Sequence, residues 1–279
     1  AAGRGASNAV GASVVPNDVV LGAANGVGGS ASSPPAMLLT GPNMGGKSTL
    51  LRATCVAAVL AHVGALVPAS RLVLSPVDAV HTRLGGAGDR VDAGESTFLV
   101  ECAEASAILR GATRDSLVVL DELGRGTSTF DGYAVAHASF ARLAHGIGCR
   151  SMFATHFHAL TREFAASPAV QLRHMAAEVG AEGTRDIAFL YKLREGACPS
   201  SHGTRVAALA GVPARVLARA TEAAKKIEAR VGRAFEGALE AGMTEGERNA
   251  LAVVLDAVAN GGGDDERMAS LRASWTSLR

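Results

Sequence analysis

Excess charge of either sign is missing from this sequence: 27 lysines and arginines stand against 26 aspartates and glutamates. That balance excludes a broadly cationic nucleic-acid surface, so any DNA contact must be local or lie outside the chain. Basic and aromatic residues are nowhere interleaved in a run, which predicts weak DNA binding by this chain alone. Paired cysteines are missing too. The four cysteines stand alone at 55, 102, 149 and 198 with no C-x-x-C spacing, which argues against a zinc site or a disulfide framework and fits a reducing compartment. No uninterrupted apolar span is long enough to cross a bilayer, and the start AAGRGASNAV has no signal-peptide layout, so no membrane partner is expected. The start also lacks a methionine, which fits a piece of a longer chain.

What is present begins with TGPNMGGKSTLLRATC, Thr40 to Cys55. Gly41 to Ser48 fits G-x-x-x-x-G-K-[ST], in which glycines let backbone N–H groups curl around phosphates, a lysine reaches the outer phosphates and a hydroxyl binds Mg²⁺. Such a loop needs a strand before it and a helix after it. Ala36 to Thr40 reads as a short buried strand, and Ser48 to Val63 as a helix ending at Gly64. The competing reading, a chance glycine-rich turn, does not supply both flanks.

A second half-site follows at Leu117 to Leu120, an apolar strand ending in Asp121 and Glu122. Carboxylates at the carboxyl end of a strand are where a phosphate-binding sheet presents its acids. Asp121 would hold Mg²⁺ through its water shell, and Glu122 could orient and deprotonate the attacking water. Alone, the pair could be acidic turn residues at the surface; beside Lys47 it reads as catalytic. His156, in FATHFHAL, reads as a sensor of the outer phosphate or the attacking water, against a structural histidine at a strand end. His156 and His158 are spaced like metal ligands, but no third ligand stands near them, so no metal is expected there.

Strands are predicted at Arg71 to Leu74, Ala79 to Thr82 and Arg150 to Ala154, with helices at Thr97 to Arg110 and Asp131 to His145. Ser13 to Leu21 reads as strand-turn-strand, and Gly22 to Ala36 as a mobile loop. Val170 to Val179 and Ile187 to Leu193 read as a late hairpin, Pro213 to Arg233 as a helix opened by proline, and Thr244 to Arg279 as helical with a break at Asn260. The predicted class is α/β, a P-loop nucleotide hydrolase sheet flanked by helices.

TGPNMGGKST, GESTF, DELGRGTSTFDGYAVA and FATHFHAL together resemble the ATPase domain of the MutS mismatch-repair family, a branch of the ABC-type ATPases. The resemblance runs from Pro16 to about Glu228. HTRLGGAGDR, RHMAAEV and FLYKLREGACPSSHG look most like the sixth eukaryotic MutS-homologue subfamily, the one that pairs with the second. The resemblance implies an ATP-hydrolysing domain over residues 1 to 200 and a helical dimerisation region over 201 to 279. It implies ATP and Mg²⁺ as cofactors, a nuclear location and a heterodimer with another MutS homologue. Mismatched double-stranded DNA would be met through domains absent from this chain, because the family's Phe-x-Glu wedge occurs nowhere in it.

Carried over by residue, the resemblance assigns the triphosphate and Mg²⁺ to Gly45, Gly46, Lys47, Ser48 and Thr49, with Gly41, Pro42, Asn43 and Met44 shaping the loop. Asp121 and Glu122 keep their roles, and His156 would contact the reacting phosphate. Ser96 resembles the serine that the family sends across the dimer interface to the partner's γ-phosphate, a role compatible with an N-cap. The segment Gly124 to Thr129 would line that interface. Tyr191 matches a ring that stacks on adenine, though an aromatic on a strand equally suits a core. Val14 stands where relatives often carry an aromatic, so nucleotide affinity is expected to be weaker. The stripe Val216, Leu217, Ala220, Ala224 and Ile227 either packs on its own domain or, as the resemblance implies, embraces a partner. Two other functions stay open: another ABC-type machine (a transporter subunit or a chromosome-structure protein), disfavoured because GESTF replaces the L-S-G-G-Q signature, and an ATP-dependent dimerisation module without turnover.

Overall fold

The computed structural model describes residues 14–22, 33–85, 97–180, 187–198 and 202–226. Its centre is a sheet in the order β2-β3-β4-β1-β5-β6. The strands are β1 (Ala36–Thr40), β2 (Val80–Arg83), β3 (Leu117–Asp121), β4 (Arg150–Ala154), β5 (Val170–Val179) and β6 (Ile187–Glu195). All neighbours run parallel except β5 and β6, which form the antiparallel pair expected of a late hairpin. The helices are α1 (Lys47–His62), α2 (Thr97–Gly111), α3 (Thr129–Ala141), α4 (His158–Glu163) and α5 (Gly203–Leu209).

β1 and β3 are buried at all five positions, and their side chains alternate between two cores as a pleated strand requires. Ala36, Leu38, Val118, Leu120 and Phe153 face a core with Ala105, Ile108, Ala136, Phe140 and Leu160, from the helices on that side. Met37, Leu39, Leu117, Val119 and Met152 face the other core with Leu50, Leu51, Cys55 and Ala58 of α1. The result is a three-layer α/β/α sandwich, whose parallel strands point their carboxyl ends to one edge.

Three expected elements differ. Arg71 to Leu74 forms no strand; Leu74 packs against the α1-side core without joining the ladder. Residues 14–21 form no strand-turn-strand either. Pro16 lacks an N–H, and the Asn17 side chain takes over the pairing, donating to the Tyr191 carbonyl at 2.8 Å and accepting from the Leu193 N–H at 2.7 Å. The helix expected over Asp131 to His145 starts earlier, at Thr129, because Ser128 caps it by accepting from the Asp131 N–H. It gives way at Arg142 to a π-helical turn ending at Gly148, whose φ of 70° suits glycine. The chain is helical again over 214–226, and every position there is exposed except Leu217. Of the described part of the Val216 stripe, Val216, Ala220 and Ala224 are exposed and Leu217 is half-buried. Ser96, Ile227, most of the loop expected at Gly22 to Ala36 and all of Thr244 to Arg279 lie outside the described residues.

Candidate nucleotide site

The turn between β1 and α1 has the backbone an anion cradle needs. Gly41 and Gly46 have φ of 137° and 97°, and Met44 adopts a left-handed φ of 69°. A Cβ on Gly45 would lie 2.9 Å from the Pro42 carbonyl oxygen, so the tightness of this turn admits only glycine there. Gly46 caps α1 with no side-chain hydrogen bond, and the first turn holds no acidic residue. Its N–H groups and the positive end of the helix dipole are thus left for an anion.

Lys47 is buried, with 5% of its surface exposed. Its Nζ donates to the carbonyls of Gly41 at 2.8 Å and Pro42 at 3.2 Å and lies 3.8 Å from Glu122 Oε1. Burial lowers the ammonium's pKa, while the carboxylates of Glu122 and Asp121 oppose that shift. Glu122 has a left-handed φ of 52°, which turns the chain out of β3 and carries its carboxylate over the phosphate loop. Arg125 holds the other carboxylate oxygen at 2.9 Å.

The donor set tests for a divalent cation. Ser48 Oγ donates to Asp121 Oδ2 at 2.6 Å, and Asp121 Oδ1 is buried with no hydrogen-bond partner among the described residues. A hydroxyl beside a carboxylate with an orphaned oxygen fits a hard, oxygen-seeking ion such as Mg²⁺.

These groups share one cleft of ≈ 920 Å³, a size that suits a nucleotide-sized ligand. Pro42, Asn43, Met44, Gly46, Lys47, Ser48 and Thr49 line it, with Asp121 and Glu122 on one side and Val14 and Tyr191 on another. Gly41 and Gly45 shape the loop from behind. Tyr191 is not a core residue: it is 45% exposed, has a left-handed φ of 54°, and its ring edge would lie 3.2 Å from a Cβ on Gly46. Val14 is 90% exposed on the same side. His156 is exposed and does not line the cleft, though the protein around it depresses its imidazole pKa against the opposing pull of Glu122.

Sequence reading missed Arg83, Glu101 and Glu104, which complete the polar wall with Arg125, a residue of the segment expected only at the interface. A signal was present for one of them: Glu101 shares its helical face with Ala105 and Ile108 and is buried with them. A carboxylate on an apolar stripe demands a partner.

A family model described as MutS domain V matches residues 37–228. The chain is 52% identical over 229 residues to "DNA mismatch repair protein MSH7" of Arabidopsis thaliana, covering 80% of this chain and 20% of that protein. It is 46% identical over 218 residues to "DNA mismatch repair protein Msh6" of Homo sapiens, covering 77% and 16%. With "DNA mismatch repair protein MutS" of Treponema pallidum it shares 48% over 220 residues, covering 79% and 23%. The chain therefore spans about a fifth of the length of these curated relatives. The match replaces the transporter and chromosome-structure alternatives. With its phosphate loop and paired acids in one cleft, the chain belongs to the MutS family and carries that family's domain V, the ATPase domain.

Proposed function

We propose that this domain is the ATP-driven part of a DNA mismatch repair protein, in which hydrolysis moves a DNA clamp formed elsewhere in a longer polypeptide. The observation that carries the reading is the meeting of Lys47 with Glu122 and of Ser48 with Asp121 in one cleft. Lys47 and the loop of Gly41 to Thr49 bind the triphosphate, Ser48 and Asp121 hold Mg²⁺, and Tyr191 stacks on the base. Bound Mg²⁺ supplies positive charge at the outer phosphates. Glu122 orients and deprotonates the attacking water, and His156, outside the cleft lining but electrostatically coupled to Glu122, Arg125 and Lys47, senses the outer phosphate from the cleft's margin. Phosphoryl transfer of this kind depends on placement and charge, with no covalent step for the protein to perform.

Ser96 acts on the nucleotide of a partner subunit, and residues 201–279 form the helical dimerisation element; the exposure of the helix over 214–226 supports this. The partner is another MutS homologue, and the protein works in the nucleus, as the eukaryotic relatives suggest. Mismatched DNA is met through parts of the longer protein. Phosphate release from ATP, measured with and without Mg²⁺, tests the reading. Mixed dimers carrying one Ser96→Ala subunit test the interface: hydrolysis should fall in the partner's site while ATP binding to the mutated subunit persists. ATP binding without turnover, alone or with the partner, would reduce the domain to a dimerisation module.

A further inference from the structure

The polar wall of the cleft contains a largely buried ion pair to which the proposed hydrolysis assigns no role. Arg83, at the end of β2, and Glu101, one turn into α2, meet at 2.8 Å with side chains 10% and 11% exposed. Each also grips the turn that carries the acids. Arg83 Nη1 donates to the carbonyl of Asp121 at 2.6 Å, and Glu101 Oε2 accepts the Gly124 N–H at 3.2 Å. The same turn packs on the start of α2, since a Cβ on Gly126 would lie 3.1 Å from the Phe98 nitrogen. Asp121 and Gly124, on either side of Glu122, are thus held by the two members of the pair, one from β2 and one from α2.

We propose that Arg83 and Glu101 are positioning residues for hydrolysis: their ion pair locks α2 to the Asp121–Gly124 turn and so sets where both carboxylates stand. The inference rests on the nucleotide reading of the site. A buried pair of this kind adds little net stability compared with an apolar pair, and here it fixes one arrangement: without Glu101, Arg83 keeps, among the described residues, only the Asp121 carbonyl and the more exposed Glu104 at 3.6 Å, and the Gly124 N–H loses its acceptor. Glu101 sits about one turn from the first residue of α2, so a shift imposed on that end of the helix by a partner reaches the acids through this pair.

The test uses the 279-residue chain with Glu101→Gln, Glu101→Ala and Arg83→Lys. ATP affinity and the number of ATP-binding sites are measured by calorimetry, and kcat is expressed per binding site. Glu101→Ala should lower kcat about tenfold or more while ATP affinity stays within about threefold. Glu101→Gln, which still offers Gly124 an acceptor, should recover part of the loss. Adding Arg83→Lys to Glu101→Ala should cost less than the two single losses combined, because the ion-pair part is shared, while the separate bond of Arg83 to the Asp121 carbonyl keeps the extra cost above zero. Unchanged kcat per site in Glu101→Ala overturns the inference, as does a fall in kcat matched by an equal fall in affinity. If Glu101→Ala does not fold, Glu101→Gln and Arg83→Lys decide: wild-type kcat in both overturns it. A Lys47→Ala control that binds ATP as well as wild type, or a wild-type chain without turnover, overturns the nucleotide reading and the inference with it.

Discussion

Ser48 Oγ and Asp121 Oδ2 meet at 2.6 Å, joining the first turn of α1 to the end of β3, while the other Asp121 oxygen is buried without a partner among the described residues. The two oxygens a divalent cation would take are therefore held together by the fold. Asp121→Asn should weaken the Mg²⁺ dependence of ATP binding by about tenfold or more, since an amide oxygen lacks the charge that holds a hard cation. Titrating Mg²⁺ at constant ATP checks this. An unchanged midpoint would remove Asp121 from the cation site.

Lys47 and Glu122 predict opposite phenotypes. Lys47→Ala should abolish measurable ATP binding, because its ammonium is the main side-chain counter-charge within the loop. Glu122→Gln should bind ATP and lose turnover by about a hundredfold or more, as removal of a general base does. Direct ATP binding and single-turnover phosphate release separate the two. Equal ATP binding by both variants would defeat the assignment of the loop.

Much of this site was legible because its parts are local. β1, β3 and β4 took the expected bounds, since short apolar runs closed by charged or glycine-rich turns leave little choice of register. The phosphate loop is eight consecutive residues with a backbone requirement at each glycine. What stayed hidden depends on tertiary approach. Arg83 and Glu101 lie 18 positions apart in the sequence, and only the fold brings them to 2.8 Å. Asn17 replaces strand pairing with its side chain, which period-two patterning cannot signal. The left-handed backbones of Glu122 and Tyr191 aim both side chains at the cleft, and no propensity scale favours that conformation for either residue.

Tyr191 is held beside the phosphate loop by Asn17, which grips its carbonyl, and by Gly46, whose missing Cβ lets the ring approach; the proposed stacking on the base makes a prediction. Tyr191→Ala should weaken ATP binding about tenfold, within the roughly 1–3 kcal/mol that base stacking contributes, and Tyr191→Phe should keep it. Inorganic tripolyphosphate provides the control. Its affinity should not change in either variant, and a matching loss for tripolyphosphate would show a disturbed phosphate loop instead.

Gly124 and Gly132 touch where the turn after β3 meets α3. Gly124 has a φ of 91°, and a Cβ there would lie 2.3 Å from the Gly132 carbonyl oxygen. Gly124→Ala should destabilise the chain by about 2–4 kcal/mol, from overlap and an unfavourable backbone together. Urea unfolding measures it. A cost below about 0.5 kcal/mol would mean that the two segments separate freely.

Glu163 gives the chain a pH dependence of predictable sign. Burial would raise its pKa, but hydrogen bonds from His137 at 2.7 Å and from the Tyr133 hydroxyl, together with the nearby His137, hold it below its ordinary value of 4.5. A carboxyl whose pKa is depressed on folding stabilises the folded state fully above its unfolded pKa and loses that contribution as pH falls through the folded one. The wild-type chain should therefore lose stability from about pH 4.5 downward as the unfolded chain takes up the proton first. Glu163→Gln should be less stable near neutrality by roughly 1–2 kcal/mol, the worth of a hydrogen bond to a charged acceptor in a partly exposed setting. Its acid limb should be flatter, so the two curves converge at low pH. Urea midpoints across the acid range read both effects. Parallel curves would show that Glu163 is not the group whose protonation sets that limb.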